Sequence, residues 1–180
     1  DVASFMTDLF SVDKSAKIID PCFGGGAFLK KLREKGFRNV TGYEIDNVLY
    51  QRVVDEFQNY TLINNDFLSA SLTDFDGIIM NPPYVRHEKI NDLGVFGVNK
   101  QELSKNRIYD ELPSTANLYM YFIIKGFDVL KQGGEMIVIF PSSWVNARSG
   151  KSFQRKMLEC GGIERQIHIV GEVFEKNALV

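Results

Sequence analysis

Asn81-Pro82-Pro83-Tyr84 is the segment of this sequence best suited to do chemistry. It directly follows a short apolar run, Gly77–Met80, that reads as a strand. Two prolines stiffen the turn and remove two backbone donors. The Pro82 carbonyl then projects as an acceptor beside the side-chain oxygen of Asn81. Two such acceptors can hold both hydrogens of a planar amino group. Tyr84 offers a face on which a planar ring can stack. Together they suit an amino group conjugated to an aromatic ring or a carbonyl. A four-residue string of these types arises by chance in a chain this size on the order of once in a thousand. The alternative is a proline-stiffened strand exit with a surface tyrosine.

Three further groups could serve the same site. Asp20-Pro21-Cys22-Phe23-Gly24-Gly25-Gly26-Ala27-Phe28 runs from a strand into a helix. Glycines there let backbone approach a ligand closely, and the helix start favours negative charge. The same string also makes a plain strand-to-helix turn. A dinucleotide fingerprint would need glycine two residues after Ala27, where Leu29 stands, so a nicotinamide cofactor is disfavoured. Glu44, in Gly42-Tyr43-Glu44-Ile45-Asp46, ends the second strand at the spacing expected of a ribose-binding acid. Asp46 caps the next helix. In Asn65-Asp66-Phe67, Asp66 could accept from an adenine amino group while Phe67 packs on the ring. Taken singly, a turn-forming Asn-Asp pair is the better reading.

These groups need a scaffold that presents strand ends side by side. Short apolar runs alternate with helical periodicity, as in a parallel sheet covered by helices. Strands are expected at Lys17–Asp20, Val40–Glu44, Thr61–Asn64, Gly77–Met80, Met136–Phe140 and Ile163–Val170. Helices are expected at Phe28–Lys35, at Asn47–Gln58 with Val48, Leu49, Val53 and Phe57 as its apolar stripe, at Leu118–Leu130 and at Ser152–Glu159. Gly36 stops the first of these, and Gly133-Gly134 ends the third. Val85–Ser114 is polar and shows no clear period, and such a stretch inside a domain implies a function. Ala3–Phe10 reads as the end of a helix and Asn177–Val180 as the start of a strand, so the chain is expected to be a fragment.

Composition sets outer bounds. The chain has 180 residues, 44% hydrophobic and 24% charged, which is ordinary globular composition for one domain. No apolar run approaches a membrane span of ~18 residues, and nothing at the start reads as a signal peptide. Cys22 and Cys160 form no disulfide framework and fit a reducing cytoplasm. The net charge of −2 hides an asymmetry, −4 over residues 1–80 and +2 over residues 81–180. Phosphate contacts would therefore come from the second half.

The order of the glycine loop, GYEID, NDF and NPPY resembles that of S-adenosylmethionine-dependent methyltransferases acting on amino nitrogens. NPPYVRHEKI, Asn117-Leu118-Tyr119-Met120-Tyr121-Phe122, Leu130-Lys131-Gln132-Gly133-Gly134, Pro141-Ser142-Ser143-Trp144 and Gly171-Glu172-Val173-Phe174 extend the likeness. Together they resemble the adenine-N6 DNA methyltransferases of bacterial restriction–modification systems. NPPY alone is shared with protein-glutamine and some RNA methyltransferases, which is the alternative activity.

The resemblance implies an α/β, Rossmann-like methyltransferase fold with a mostly parallel sheet and helices on both faces. It implies one catalytic domain over residues 1–180, without the family's leading aromatic and Thr-Pro segment and without a target-recognition domain. S-adenosylmethionine is the implied cofactor, with no metal. Asp20, Pro21, Cys22, Gly24 and Gly26 would border its methionine part. Glu44 would bind its ribose, Ile45 would pack on its adenine, and Asp66 would read the adenine amino group. Phe67 and Phe122 would close that pocket. Asn81 and the Pro82 carbonyl would hold the target N6, with Pro83 stiffening the turn. Tyr84 and Phe174 would pack on opposite sides of the flipped base. Implied partners are double-stranded DNA, a recognition domain or specificity subunit, and a restriction nuclease.

The remaining candidates have plain readings. His87 reads as a solvated loop histidine or a phosphate contact, His168 as a structural residue in a strand, and Trp144 as a core residue. Cys22 has no cysteine or histidine near enough to suggest a metal site. Arg86, Lys89, Lys100, Lys105 and Arg107, and then Arg148, Lys151, Arg155 and Lys156, are solvated faces or phosphate contacts. No Glu-x-Lys triplet points to a nuclease.

Overall fold

The computed structural model describes residues 1–145 and 148–169. Five strands form one parallel sheet in the order β3-β2-β1-β4-β5. They are β1 (Lys17–Asp20), β2 (Asn39–Glu44), β3 (Thr61–Asn64), β4 (Phe75–Met80) and β5 (Leu130–Val138). The helices are α1 (Val2–Asp8), α2 (Ala27–Glu34), α3 (Asn47–Val53), α4 (Lys100–Lys105), α5 (Leu118–Val129) and α6 (Arg148–Cys160).

Side-chain alternation along the strands divides the core in two, because successive residues point to opposite faces. Ile18 and Ile79 face one layer with Met6, Leu29, Leu32, Val53 and Phe57, which come from α1, α2, α3 and the turn after it. Ile19, Ile78 and Met80 face the other with α5 and with Phe153 and Met157 of α6. Helices thus cover both faces, as the alternating pattern predicts. The Leu118–Leu130 helix, expected to be amphipathic, is instead buried on nearly every side as α5, with Leu118 to Gly126 all inside, because helices and sheet pack around it.

The strand order turns back between β1 and β4. Chain order runs outward to β3 on one side and from β4 to β5 on the other. In open parallel sheets, ligands bind outside the carboxyl ends of the strands at this point of reversal. The glycine loop leaves β1 there, and Asn81-Pro82-Pro83-Tyr84 leaves β4.

Several expectations need correction. Residues 163–169 pair with no strand. Ile163 and Ile167 are exposed, and so is His168, so the expected sixth strand is absent among the described residues. An alternating run becomes a strand only where an edge pairs with it, and nothing pairs here. The pair Gly133-Gly134 does not end α5, which passes directly into β5 at Leu130. Instead the two glycines lie in an irregularity. Phe75 pairs with Leu130 and Gly77 with Glu135, and Gly133 takes φ +79° to make the jump. The Asn47–Gln58 helix tightens into a 3-10 turn at Val54–Phe57, and Val48 is exposed rather than part of the buried stripe.

The stretch without periodicity is folded. It comprises 3-10 turns at His87–Phe96, α4, and a further 3-10 turn at Arg107–Tyr109. Ile90, Val98, Leu103 and Tyr109 anchor it in the core of the α5 face. Its two ends meet: the Leu118 N–H donates to the Val85 carbonyl at 2.9 Å, and the His87 N–H donates to Asn117 Oδ1 at 3.0 Å.

Candidate active site

The glycine turn is shaped by backbone conformation. Gly24 and Gly26 have φ +50° and +79°, a region where a side chain is strained. A Cβ placed on Gly24 or Gly25 would meet no atom within 4 Å, so this side of the turn is open space. At Gly26 a Cβ would lie 3.1 Å from Val53 Cγ1 and 3.3 Å from Phe57 Cε2. Gly26 thus serves packing as well as the turn.

Glu44 holds the turn from the neighbouring strand. Its Oε2 accepts from the Gly24 N–H at 2.9 Å and its Oε1 from the Asp46 N–H at 2.8 Å. A carboxylate has about four lone-pair sites, so these two bonds leave acceptor capacity for a ligand. Asn64 donates from Nδ2 to the Glu44 carbonyl at 2.8 Å and to the Ile45 carbonyl at 3.3 Å, tying the ends of β3 and β2 together. The sequence reading passed over Asn64. Its signal was its place as the last residue of a strand, beside the Asn-Asp pair.

Asp20 is fully buried at the end of β1. Its Oδ1 accepts from the Cys22 N–H at 3.3 Å, and its Oδ2 is buried without a partner among the described residues. Burial, reinforced by the nearby Glu44 carboxylate, pushes its ionisation up to about 8. An orphaned buried carboxyl oxygen beside an open glycine cradle, with Glu44 adjacent, fits a polar ligand that carries positive charge.

Asp66 closes the turn after β3. Its Oδ1 accepts from the Leu68 N–H at 3.0 Å, which is the turn that an Asn-Asp pair favours. Burial raises its ionisation against those hydrogen bonds. Phe67 is buried 5.7 Å from Phe122, ring centre to ring centre, so the two expected adenine-pocket aromatics do meet. Ile45 is half-buried at the end of β2. A cavity of about 380 Å³ is lined by Asp66 and Leu68 together with Val98, Leu103 and Tyr109 of the stretch after Tyr84.

The turn after β4 is held at three points. Cys22 Sγ lies 3.3 Å from the Asn81 carbonyl. The Tyr84 hydroxyl lies 2.7 Å from Asn81 Oδ1 and 3.1 Å from the Ile139 carbonyl. The Tyr84 ring meets Tyr119 edge-on at 6.4 Å. Among the described residues, no hydrogen bond reaches the Pro82 carbonyl. The glycine turn and the turn after β4 are thus in direct contact, through Cys22 and Asn81. Phe174 lies outside the described residues, as do Val170 and Asn177–Val180.

Other side chains take ordinary places. Trp144 is buried against Phe140 and Phe153. His87 sits 3.3 Å from Glu88. Lys89 pairs with Asp92, Lys105 with Glu102, and Arg155 with Glu111, so part of each basic group is a paired surface. Among the described residues, no cluster of three metal-ligating side chains occurs, and no helix is long and apolar enough to cross a membrane.

Comparison with known proteins identifies the group. Over 168 residues the chain is 32% identical to the type II methyltransferase M.HincII of Haemophilus influenzae, covering 92% of this chain and 31% of that protein. It is 26% identical over 165 residues to the type II methyltransferase M.AccI of Acinetobacter calcoaceticus, covering 89% and 29%. The chain therefore spans about a third of the length of these curated relatives. A type I restriction-modification methyltransferase subunit from Streptococcus thermophilus superposes with TM-score 0.68 at 19% identity, over 88% of this chain and 37% of that one. An S-adenosylmethionine-dependent O-methyltransferase from Thermotoga maritima superposes with TM-score 0.57 at 16% identity, over 88% and 49%. The fold is that of the S-adenosylmethionine-dependent methyltransferases. Residues 25–174 match the model of the Eco57I restriction-modification methylase family, and the chain belongs to that family.

Proposed function

We propose that this chain is the catalytic part of a DNA methyltransferase that modifies N6 of a flipped-out adenine within a restriction–modification system. The observation that carries the reading is the pair of acceptors at the end of β4. Asn81 Oδ1 and the Pro82 carbonyl stand at the point of strand reversal, and Cys22 joins their turn to the glycine cradle.

S-adenosylmethionine, when bound, supplies an electrophilic methyl group. The chain's own residues would hold it at the cradle. Gly24 and Gly26 shape the turn, and Pro21 and Cys22 line its entry. Asp20 would give up its proton beside the positive charge, Glu44 would meet the ribose hydroxyls, and Asp66 the adenine amino group. Ile45, Phe67 and Phe122 would enclose the adenine ring.

An adenine amino group is a weak nucleophile because its lone pair is delocalised into the ring. Two acceptors on its hydrogens favour a pyramidal nitrogen and localise that pair. This is orientation and electrostatics, worth several kcal/mol in well-positioned systems. Extruding the base costs a few kcal/mol, and stacking on Tyr84 and Phe174 offsets it at about 1–3 kcal/mol per aromatic. Pro83 has no N–H and holds the turn rigid. Double-stranded DNA is the substrate, read with a recognition domain or specificity subunit and matched by a nuclease, in the cytoplasm.

The test uses S-adenosylmethionine labelled on its methyl group, offered with DNA, RNA and a protein extract. Label is expected on N6 of adenine in DNA, and lost in Asn81→Ala. Label confined to RNA or protein overturns the reading in favour of another amino or amide substrate.

A further inference from the structure

Two peptide units of the turn after β4, Asn81–Pro82 and Pro82–Pro83, carry no N–H to anchor them. The Asn81–Pro82 unit has no N–H, because its nitrogen belongs to proline. The plane of that unit can therefore be anchored only through the Asn81 carbonyl. Its orientation sets where Asn81 Oδ1 points on one side and where the Pro82 carbonyl lies on the other. Among the described residues, the thiol of Cys22 lies within hydrogen-bond distance of the Asn81 carbonyl, at 3.3 Å.

Cys22 is placed for this by its own loop. It lies two residues past Asp20, whose Oδ1 accepts from the Cys22 N–H. Asp20 is immobilised at the end of β1, in the middle of the sheet. Burial, together with the Asp20 and Glu44 carboxylates, holds the Cys22 thiol well above its ordinary ionisation. It therefore keeps its proton and remains a donor. A thiol is a weak donor, but a sulfur contact at this distance falls within its normal range.

We propose that Cys22 is a positioning residue for the methyl transfer, its thiol fixing the Asn81–Pro82 peptide plane so that both acceptors meet the target amino group. The inference rests on the function proposed above. It gives Cys22 a role distinct from lining the cofactor. Whatever moves the glycine turn moves the amino-group grip with it, because one side chain belongs to both. A misplacement of about 1 Å in such a constellation costs up to about a hundredfold in rate.

The experiment compares wild type, Cys22→Ala and Cys22→Ser in the complete polypeptide. Three quantities are read: S-adenosylmethionine affinity by calorimetry, the single-turnover rate of methyl transfer to DNA at saturating cofactor, and the thiol infrared stretch. Cys22→Ala is expected to slow single-turnover transfer at saturating cofactor about tenfold, a loss larger than any accompanying change in cofactor affinity. Cys22→Ser, which keeps a donor, is expected to recover most of the rate. The infrared band removed by Cys22→Ser is expected at lower frequency than the band removed by Cys160→Ser, whose thiol is exposed. This band reports the hydrogen bond directly, even where Cys22→Ala destabilises the fold.

Three results overturn the proposal: an unchanged rate in Cys22→Ala, a loss of cofactor affinity that matches the loss of rate, or a Cys22 band at the frequency of the Cys160 band. Wild-type protein that methylates no DNA overturns the functional reading itself, and this inference with it. Active wild type with an indifferent Cys22→Ala overturns the inference alone.

Discussion

The Tyr84 hydroxyl stands 2.7 Å from Asn81 Oδ1, the oxygen expected to grip the target amino group. A phenol has one proton, and here two acceptors are within reach, Asn81 Oδ1 and the Ile139 carbonyl. Burial raises the ionisation of Tyr84 far above its ordinary value, so the proton stays through the working pH range. In the proposed function Tyr84 would therefore do more than offer a ring: its hydroxyl would also orient the Asn81 amide.

The two roles are separable. Tyr84→Phe keeps the ring and removes the hydroxyl. The loss of one such hydrogen bond, about 1 kcal/mol, is expected to slow methyl transfer about fivefold with DNA affinity nearly unchanged. Tyr84→Ala also removes stacking, worth about 1–3 kcal/mol per base, and is expected to weaken capture of the flipped base about 5- to 150-fold. Cofactor affinity should hold in both. The assay is equilibrium binding of cofactor and of a DNA duplex, measured separately. Equal loss of both in Tyr84→Ala contradicts the assignment.

Asp20 predicts a pH dependence. The unfolded chain gives up this proton near 3.8, whereas the folded chain keeps it until about 8. Folding therefore takes up a proton between these values, and stability contributed by this group falls as pH rises through the window. Asp20→Asn, neutral at every pH, is expected to flatten that part of the profile. The difference in urea midpoint between wild type and variant, measured at about pH 5 and pH 8, is the readout. A difference independent of pH would mean that Asp20 is ionised throughout.

Two neighbouring glycines should behave differently. Gly26→Ala forces a side chain into the left-handed region, at about 1–2 kcal/mol, against Val53 and Phe57. Its Tm is expected to fall by about 2–4 °C per kcal/mol. Gly25→Ala meets nothing within 4 Å and is expected to melt near wild type. It stands on the open side of the cradle, so its cost should appear in cofactor affinity instead. Thermal melts with and without S-adenosylmethionine distinguish the two.

Local pattern carried much of this architecture. Lys17–Asp20 and Thr61–Asn64 form strands with the expected bounds, because β-rich runs flanked by turn residues have few alternatives. The glycine turn and the turn after β4 were legible for the same reason. The inserted stretch was not. Ile90, Val98, Leu103 and Tyr109 reach the core from two 3-10 segments, a connecting residue and a short helix, so their spacing follows no single period. The Cys22–Asn81 contact was also hidden, since it joins residues 59 positions apart through a backbone carbonyl that any residue carries. Gly133 looked like a helix stop because glycine ends helices and permits bulges by the same freedom at positive φ.

The inserted stretch after Tyr84 has its two ends bonded to each other, Val85 to Leu118 and His87 to Asn117. The cost of closing a loop grows only slowly with its length once its ends are fixed. Such a stretch behaves as a cassette. Between the two clasps its exposed positions can be lengthened, shortened or exchanged, provided Ile90, Val98, Leu103 and Tyr109 or their equivalents still fill the core, while the strand ends that frame it keep their places.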